Sequence, residues 1–507
     1  MQHLPLIDLL VIIVYLLAMV LVGVYFSRKN KNSAQFTTAS GTIPGWALGI
    51  SMYATFLSSN TFLGVPGKAF GSNWNAFVFS LSMPFAAIIA TKFFVPFYRK
   101  SGEISAYTHL EHRFGPWART YALVCFILTQ LARMGSIFFG IALTLQALTG
   151  VDMKTIMIVT GICIIVYTVM GGMEAVIWTE VVQGIIKTIG AFIVLYIILR
   201  EMKGGISEIY RIGVAEDKFS LGSFSLTDFH SSTFWVIFLY GFFINLNNFG
   251  MDQNYVQRYH AARSPKEASR SIWLCVYWYL PMSLLFFIIG SALYAYFSQH
   301  PELLVHVKEQ VALEKGVDIN SLTPADYGDK ILPYFMVLKV PKGLVGLIIA
   351  AILSAAMSSI SSGMNSSATV FLKDIYQRYI NPNPGPKKEM TILYTVTALS
   401  GILSIIFGIA IIGVNSVLDL WWEFAGIFSG GMLGLFLLGL IVKKAGNVEA
   451  VTGTIIGIIV ILWMSLSKNF PPGLEHLKSP FHVNMVIVVG TLTIFLVGLL
   501  ITKLRKR

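Results

Sequence analysis

A chain of 507 residues with 55% hydrophobic and only 12% charged side chains is too apolar for a water-soluble globule, which carries about 25% charged residues. Its net charge of +12 accompanies long apolar runs, so it reads as membrane topology and contact with anionic lipid, not as nucleic-acid binding. Cys125, Cys163 and Cys275 all fall inside apolar runs, which suits reduced packing residues and excludes an extracellular disulfide framework.

Apolar runs near the ~20 residues needed to cross a bilayer recur from end to end. They predict thirteen spans, at roughly 6–27, 46–68, 76–98, 120–148, 154–171, 176–199, 232–250, 271–298, 343–372, 389–413, 416–442, 449–467 and 482–502. The fold class is an all-α polytopic membrane protein with the lipid bilayer as its solvent. No Lys or Arg precedes Arg28, whereas Arg28, Lys29 and Lys31 follow the first span, so the amino terminus is expected outside. Thirteen crossings then place Lys503, Arg505, Lys506 and Arg507 in the cytoplasm, as expected of a bacterial plasma-membrane protein. Residues 1–5 lack the basic region of a cleavable leader, and the apolar run after them is too long for one.

In the second span, residues 51–67 read SMYATFLSSNTFLGVPG, an unusual mixture of Ser, Thr and Asn with Gly64, Pro66 and Gly67. An unwound helix here frees carbonyls for a cation and turns a half-helix amino end toward anionic groups. The plainer reading is a helix lining a wet vestibule. Arg133, in the middle of the fourth span, costs at least ~2.5 kcal/mol on insertion scales and needs a partner. That partner is either an internal carboxylate or the carboxylate of a substrate, which the guanidinium fork suits. Glu180 and Lys187 lie at i and i+7 in the sixth span, either neutralising one another or leaving Glu180 to join a cation site.

Residues 241–254 read GFFINLNNFGMDQN, a second polar interruption five spans after the first. Interrupted helices at corresponding positions of two halves point to a carrier's central site. The external segment 299–342 holds Pro301, Pro324, Pro333 and Pro341 and is expected to form short helices broken by proline. In the ninth span Ser354, Ser358, Ser361, Ser362 and Asn365 form one helical stripe. Small polar residues pack membrane helices closely, but five aligned oxygen donors also suit a hard cation such as sodium. The histidines form no HExxH or triad-like cluster and no P-loop is present, so neither hydrolysis nor ATP-driven pumping is supported.

Three segments carry a family resemblance: Tyr167-Thr168-x-x-Gly171-Gly172-Met173-Glu174-Ala175-Val176-Ile177-Trp178-Thr179-Glu180, Val256-Gln257-Arg258-Tyr259, and Gly343-Leu344-x-Gly346-Leu347 before the serine stripe. Over nearly its whole length the chain resembles the sodium/solute symporter family, and within it the bacterial sialic acid (N-acetylneuraminate) symporters. The resemblance implies the LeuT-type five-plus-five inverted repeat with flanking helices. It divides one transmembrane domain into a leading segment 1–45, repeats at 46–200 and 232–443, and trailing helices at 444–507. It implies a principal sodium site from carbonyls of Ala54, Leu57 and Ala355 with hydroxyls of Ser358 and Ser359. A second sodium is implied at Glu180, Ser358, Ser361 and Ser362, and a sugar pocket at Ser58, Thr61 and Arg133. The chain departs from that pattern at Phe56 and Ser80, and Glu180 stands where the family has Asp.

Together these readings give a substrate-facing set of Ser58, Ser59, Asn60, Thr61, Ser80, Arg133, Phe243 and Asn247. The expected function is sodium-coupled import of a small carboxylated sugar, with sodium as co-substrate, no cofactor, and a monomer as the working unit. A symporter for proline, pantothenate or a neutral sugar is the alternative on the same fold. A channel or solute sensor is the alternative of a different class; an enzyme lacks a nucleophile–base or metal set.

Overall fold

The computed structural model describes residues 5–27, 32–414, 416–471 and 473–505, and its regular elements are helices. Of the cations that orient the chain, Arg28, Lys29, Lys31, Lys506 and Arg507 lie outside the described residues. Helix α1 (Leu6–Ser27) leads, followed by α2 (Gly45–Phe56) and α3 (Ser59–Gly71), two pieces of one passage. Then come α4 (Trp74–Ser101), α5 (Pro116–Thr149) and α6 (Met153–Glu201). Helix α6 contains two passages, because Gly172 (φ 59, ψ −167) turns the chain in a region of backbone space open essentially to glycine.

The second half comprises α7 (Phe234–Met251), α8 (Gln253–Ala261), α9 (Pro265–Gln299), the shorter pair α10 (Glu302–Lys315) and α11 (Pro324–Lys339), α12 (Leu344–Val370), α13 (Pro386–Ala410) and α14 (Val417–Ile441). Helices α15 (Asn447–Leu466) and α16 (Met485–Leu504) follow. Eleven of the described helices are long and apolar enough to cross a bilayer; the split α2–α3 passage and the second passage of α6 bring the total to the thirteen expected.

The first break does not fall at the glycines and proline. It lies at Leu57 (φ −88, ψ 84) and Ser58 (φ −89, ψ 177), where Ser58, Ser59, Asn60 and Thr61 offer the backbone competing partners. Pro66 sits inside α3, and Gly67 serves a close approach: a Cβ there would come within 2.5 Å of Asp329 Oδ1 in α11. The second break is at Asp252 (φ −76, ψ 117), whose carboxylate accepts the Asn254 N–H at 2.8 Å and caps α8. Of the prolines in segment 299–342, Pro301 and Pro324 stand at helix starts, Pro333 rides within a helix and Pro341 lies between α11 and α12. Pro324 opens α11, where Thr323 and Asp326 form a capping box and Pro333 is accommodated inside. Lys315 Nζ, 2.5 Å from Asp326, leads the hydrogen bonds that hold that carboxyl down to about 2.

Helix α12 is the core of the bundle, buried without interruption from Ile348 to Val370. It packs along α6, and a side chain at Gly190 of α6 would collide with Ala351, so small residues set that distance. Helix α2 packs on α9, and α3 on α9 and α11. Exposed apolar side chains such as Phe93, Ile185, Phe192, Leu403 and Leu496 cover the outside, as suits contact with lipid.

Candidate transport site at the broken helices

The break between α2 and α3 turns backbone carbonyls into ligands. Ser58 N–H donates to Phe56 O, and Thr61 N–H to Ser58 O, so Ala54 O and Leu57 O lack their usual helical donors. Side chains from three other helices converge on this gap. Ser358 Oγ donates to Ala54 O (2.9 Å) and lies 3.2 Å from Ala355 O. Ser359 Oγ donates to Thr55 O (3.0 Å) and lies 3.4 Å from Ala355 O. All five residues implied as the principal cation set are therefore together. A sixth member was not anticipated: Lys187 Nζ, fully buried, donates to Ala54 O (2.6 Å), Leu57 O (2.9 Å) and Ser358 Oγ (3.0 Å).

Glu180 and Lys187 do not neutralise one another as neighbours. Seven residues separate them by about 10 Å along the helix, and each has its own partners. Glu180 Oε2 accepts Arg258 Nη2 at 2.7 Å and the Ser51 hydroxyl. Glu180 Oε1 accepts the hydroxyls of Ser362 (2.5 Å) and Thr55 (3.2 Å). Arg258 Nη2 also reaches Ser362 Oγ (2.6 Å) and Thr55 Oγ1 (2.9 Å), and its Nε reaches Ser51 Oγ (2.9 Å). The second implied cation set is thus only partly assembled. Ser361 points elsewhere, donating to Ser358 O at 3.3 Å, and the Ser358 hydroxyl belongs to the carbonyl cluster. Residues 358 and 362 share a helix face, whereas 361 is turned about 100° from 362.

Beside these clusters lies a partly open cavity between the two broken helices. Ser58, Asn60, Thr61, Ser80 and Arg133 line it, with Phe56, Phe79, Asn248, Tyr279, Ser283, Trp421 and Trp422. Arg133 Nη2 donates to Thr55 O at 2.7 Å, its Nη1 lies 4.0 Å from Asp252 Oδ2, and the guanidinium stands over Trp421 at 5.8 Å. Both breaks therefore meet at this arginine. Ser80 pairs with Ser283 at 2.7 Å, and Asn60 Nδ2 donates to Ser136 Oγ at 2.8 Å while its Oδ1 is buried without a partner. Phe56, in place of a hydroxyl residue, packs its ring 4.8 Å from Tyr255 and 5.5 Å from Tyr279.

Three expected substrate contacts are not on the cavity. Ser59 Oγ donates to Ile137 O at 3.2 Å on α5. Phe243 and Asn247 fall one position off the lining face of α7, which carries Tyr240, Ile244 and Asn248 at helical spacing. Asn247 is buried elsewhere, and its Oδ1 has no partner.

A model of the sodium:solute symporter family matches residues 36–457. The chain belongs to that family. Among proteins similar to this symporter, the sodium/sialic acid symporter SiaT of Proteus mirabilis is 37% identical, over 88% of this chain and 87% of its own length. The sodium/sialic acid symporter NanT of Aliivibrio fischeri is 33% identical over 97% of this chain and 92% of its own. A solved Na+-coupled sialic acid symporter, substrate-bound and outward-open, superposes with a TM-score of 0.86 at 34% identity, covering 99% of this chain and 98% of that one. The nucleobase-cation-symport-1 family transporter Mhp1, at TM-score 0.57 and 14% identity, shares the fold alone. The symporter is an all-α membrane transporter with the LeuT-type five-plus-five architecture, and it is not an enzyme.

Sequence reasoning missed several members of the symporter's site. Arg258 was noted only within a motif, because α8 is polar and its depth cannot be read from hydropathy; yet Arg258 is 1% exposed. Asp252 was one acid among five amides, and its distance to Arg133 depends on how α5 meets the second break. Ser51 and Thr55 carried a weak signal, being one helical turn apart on the face that meets Glu180.

Proposed function

We propose that this symporter imports a sialic acid together with sodium by alternating access across the plasma membrane, with the amino terminus outside and the monomer as the working unit. The carrying observation is Arg133, a buried guanidinium lining a cavity between two broken helices, among hydroxyls, amides and aromatic faces. Such a set suits a carboxylate attached to a polyhydroxylated ring: the fork takes the acid, Ser58, Thr61, Ser80 and Asn60 take hydroxyl or amide groups, and the aromatic walls take the ring. The names of its relatives point to the same substrate and the same ion. The repeats are assigned to 46–200 and 232–443, each opening with a broken passage.

Sodium moving inward contributes ~2.3 kcal/mol per charge per 100 mV, enough to drive accumulation of the sugar. A second reading, transport of a neutral solute, is favoured by Asp252, which together with Thr55 O gives Arg133 protein partners of its own. A thermal-shift panel separates the two. N-acetylneuraminate raises the melting temperature of the purified protein in sodium buffer, while proline, pantothenate and neutral sugars leave it unchanged. Stabilisation by a neutral sugar and not by the acid would overturn the proposal.

A further inference from the structure

The three N–H groups of the Lys187 ammonium meet three oxygens, Ala54 O (2.6 Å), Leu57 O (2.9 Å) and Ser358 Oγ (3.0 Å), at 0% exposure. Two of those oxygens are the carbonyls that the α2–α3 break releases, and the third stands on α12. An ammonium has three donors and no acceptor, so this set satisfies it completely. The one acid close to it in sequence on its own helix, Glu180, is engaged by Arg258. Lys187 therefore reaches the break for the oxygens and not for a counter-charge.

We propose that the Lys187 ammonium is the resident cation of the oxygen set at the α2–α3 break, standing where a transported ion would otherwise bind. A sodium ion touching the same three oxygens would overlap the nitrogen, and two like charges cannot share the gap. The tethered ammonium bridges α2, the break after it, α6 and α12 throughout the cycle, where a free ion would bridge them only while bound. This inference deepens the reading above and rests on it for the role of the break in coupling. Its consequence is stoichiometric: the symporter carries one sodium fewer per sugar than it would with an apolar residue at position 187.

The test uses the full-length protein in two assays. First, sodium chloride is titrated against choline chloride at constant ionic strength, without sugar, and melting is followed in the wild type, Lys187→Met and Lys187→Met/Ser359→Ala. Lys187→Met gains a saturable sodium stabilisation beyond any shown by the wild type, and the added Ser359→Ala removes it. A merely structural lysine would give a less stable variant with no such gain. Second, the sodium-to-N-acetylneuraminate flux ratio in proteoliposomes is one in the wild type and rises by one in Lys187→Met. If Lys187→Met fails to fold, the wild-type ratio decides alone: one supports the proposal and two overturns it. A folded Lys187→Met with unchanged sodium response also overturns it. Should the wild type move no sialic acid, the functional reading fails, while the sugar-free titration still decides the role of Lys187.

Discussion

Arg133→Ala weakens binding of N-acetylneuraminate by at least about a hundredfold, some 3 kcal/mol, because a desolvated charge-assisted pair with the sugar carboxylate is lost. The guanidinium lies 8% exposed in the cavity wall with one edge committed to Thr55 O at 2.7 Å, so it reaches the ligand already oriented. Arg133→Lys keeps the charge but loses the planar fork, and an intermediate loss of roughly tenfold is expected. Trp421, whose ring lies 5.8 Å from the guanidinium carbon, supplies a local reporter, and quenching of tryptophan fluorescence gives the affinities. Removing the arginine also frees Asp252, 4.0 Å away, leaving a buried acid that repels an anionic ligand further. Equal affinity in wild type and Arg133→Ala would show that the arginine serves only to hold the two breaks together.

Glu180→Gln is the second large effect, and it falls on stability. Arg258 and Glu180 are 1% and 0% exposed and lie 2.7 Å apart, with Ser51, Thr55 and Ser362 completing the cluster. Glutamine keeps the shape and removes the charge, so a guanidinium remains buried in the bundle core without its counter-charge. Breaking such a pair from one side costs on the order of 3–5 kcal/mol. Replacing both partners, in Glu180→Met/Arg258→Met, recovers most of that loss, since neither charge then needs solvation. Thermal melting of the wild type, Glu180→Gln and the double variant tests this directly: a double variant no more stable than Glu180→Gln would refute the pairing.

How much of this was legible depends on which atoms do the work. The apolar runs gave all thirteen passages, and the amide- and hydroxyl-rich stretches at 51–67 and 241–254 marked both interruptions. The first falls at Leu57 and Ser58, inside the hydroxyl- and amide-rich cluster and not at Pro66 or Gly67. Ser354, counted in the cation stripe, donates to Ala350 O at 2.7 Å and behaves as an ordinary membrane-helix serine. Lys187 illustrates the harder case. Its partners include two carbonyls, which every residue possesses, so no side-chain pattern can announce them. Arg258 was hidden for another reason: residues 253–261 are polar enough to read as a loop, yet they form a buried half-helix whose charges are matched only in three dimensions. Phe243 and Asn247 show the limit of a helical register read without its neighbours, since a shift of one residue moves the lining face to Tyr240, Ile244 and Asn248.

A sodium gradient is expected to drive an acidic sugar through the gap between the two broken helices. Uptake of N-acetylneuraminate into proteoliposomes, with an inward sodium gradient and then with equal sodium on both sides, measures this most directly. Accumulation above the external concentration that collapses when the gradient is removed is the expected result. Uptake that only equilibrates, or that proceeds equally with and without the gradient, would contradict it.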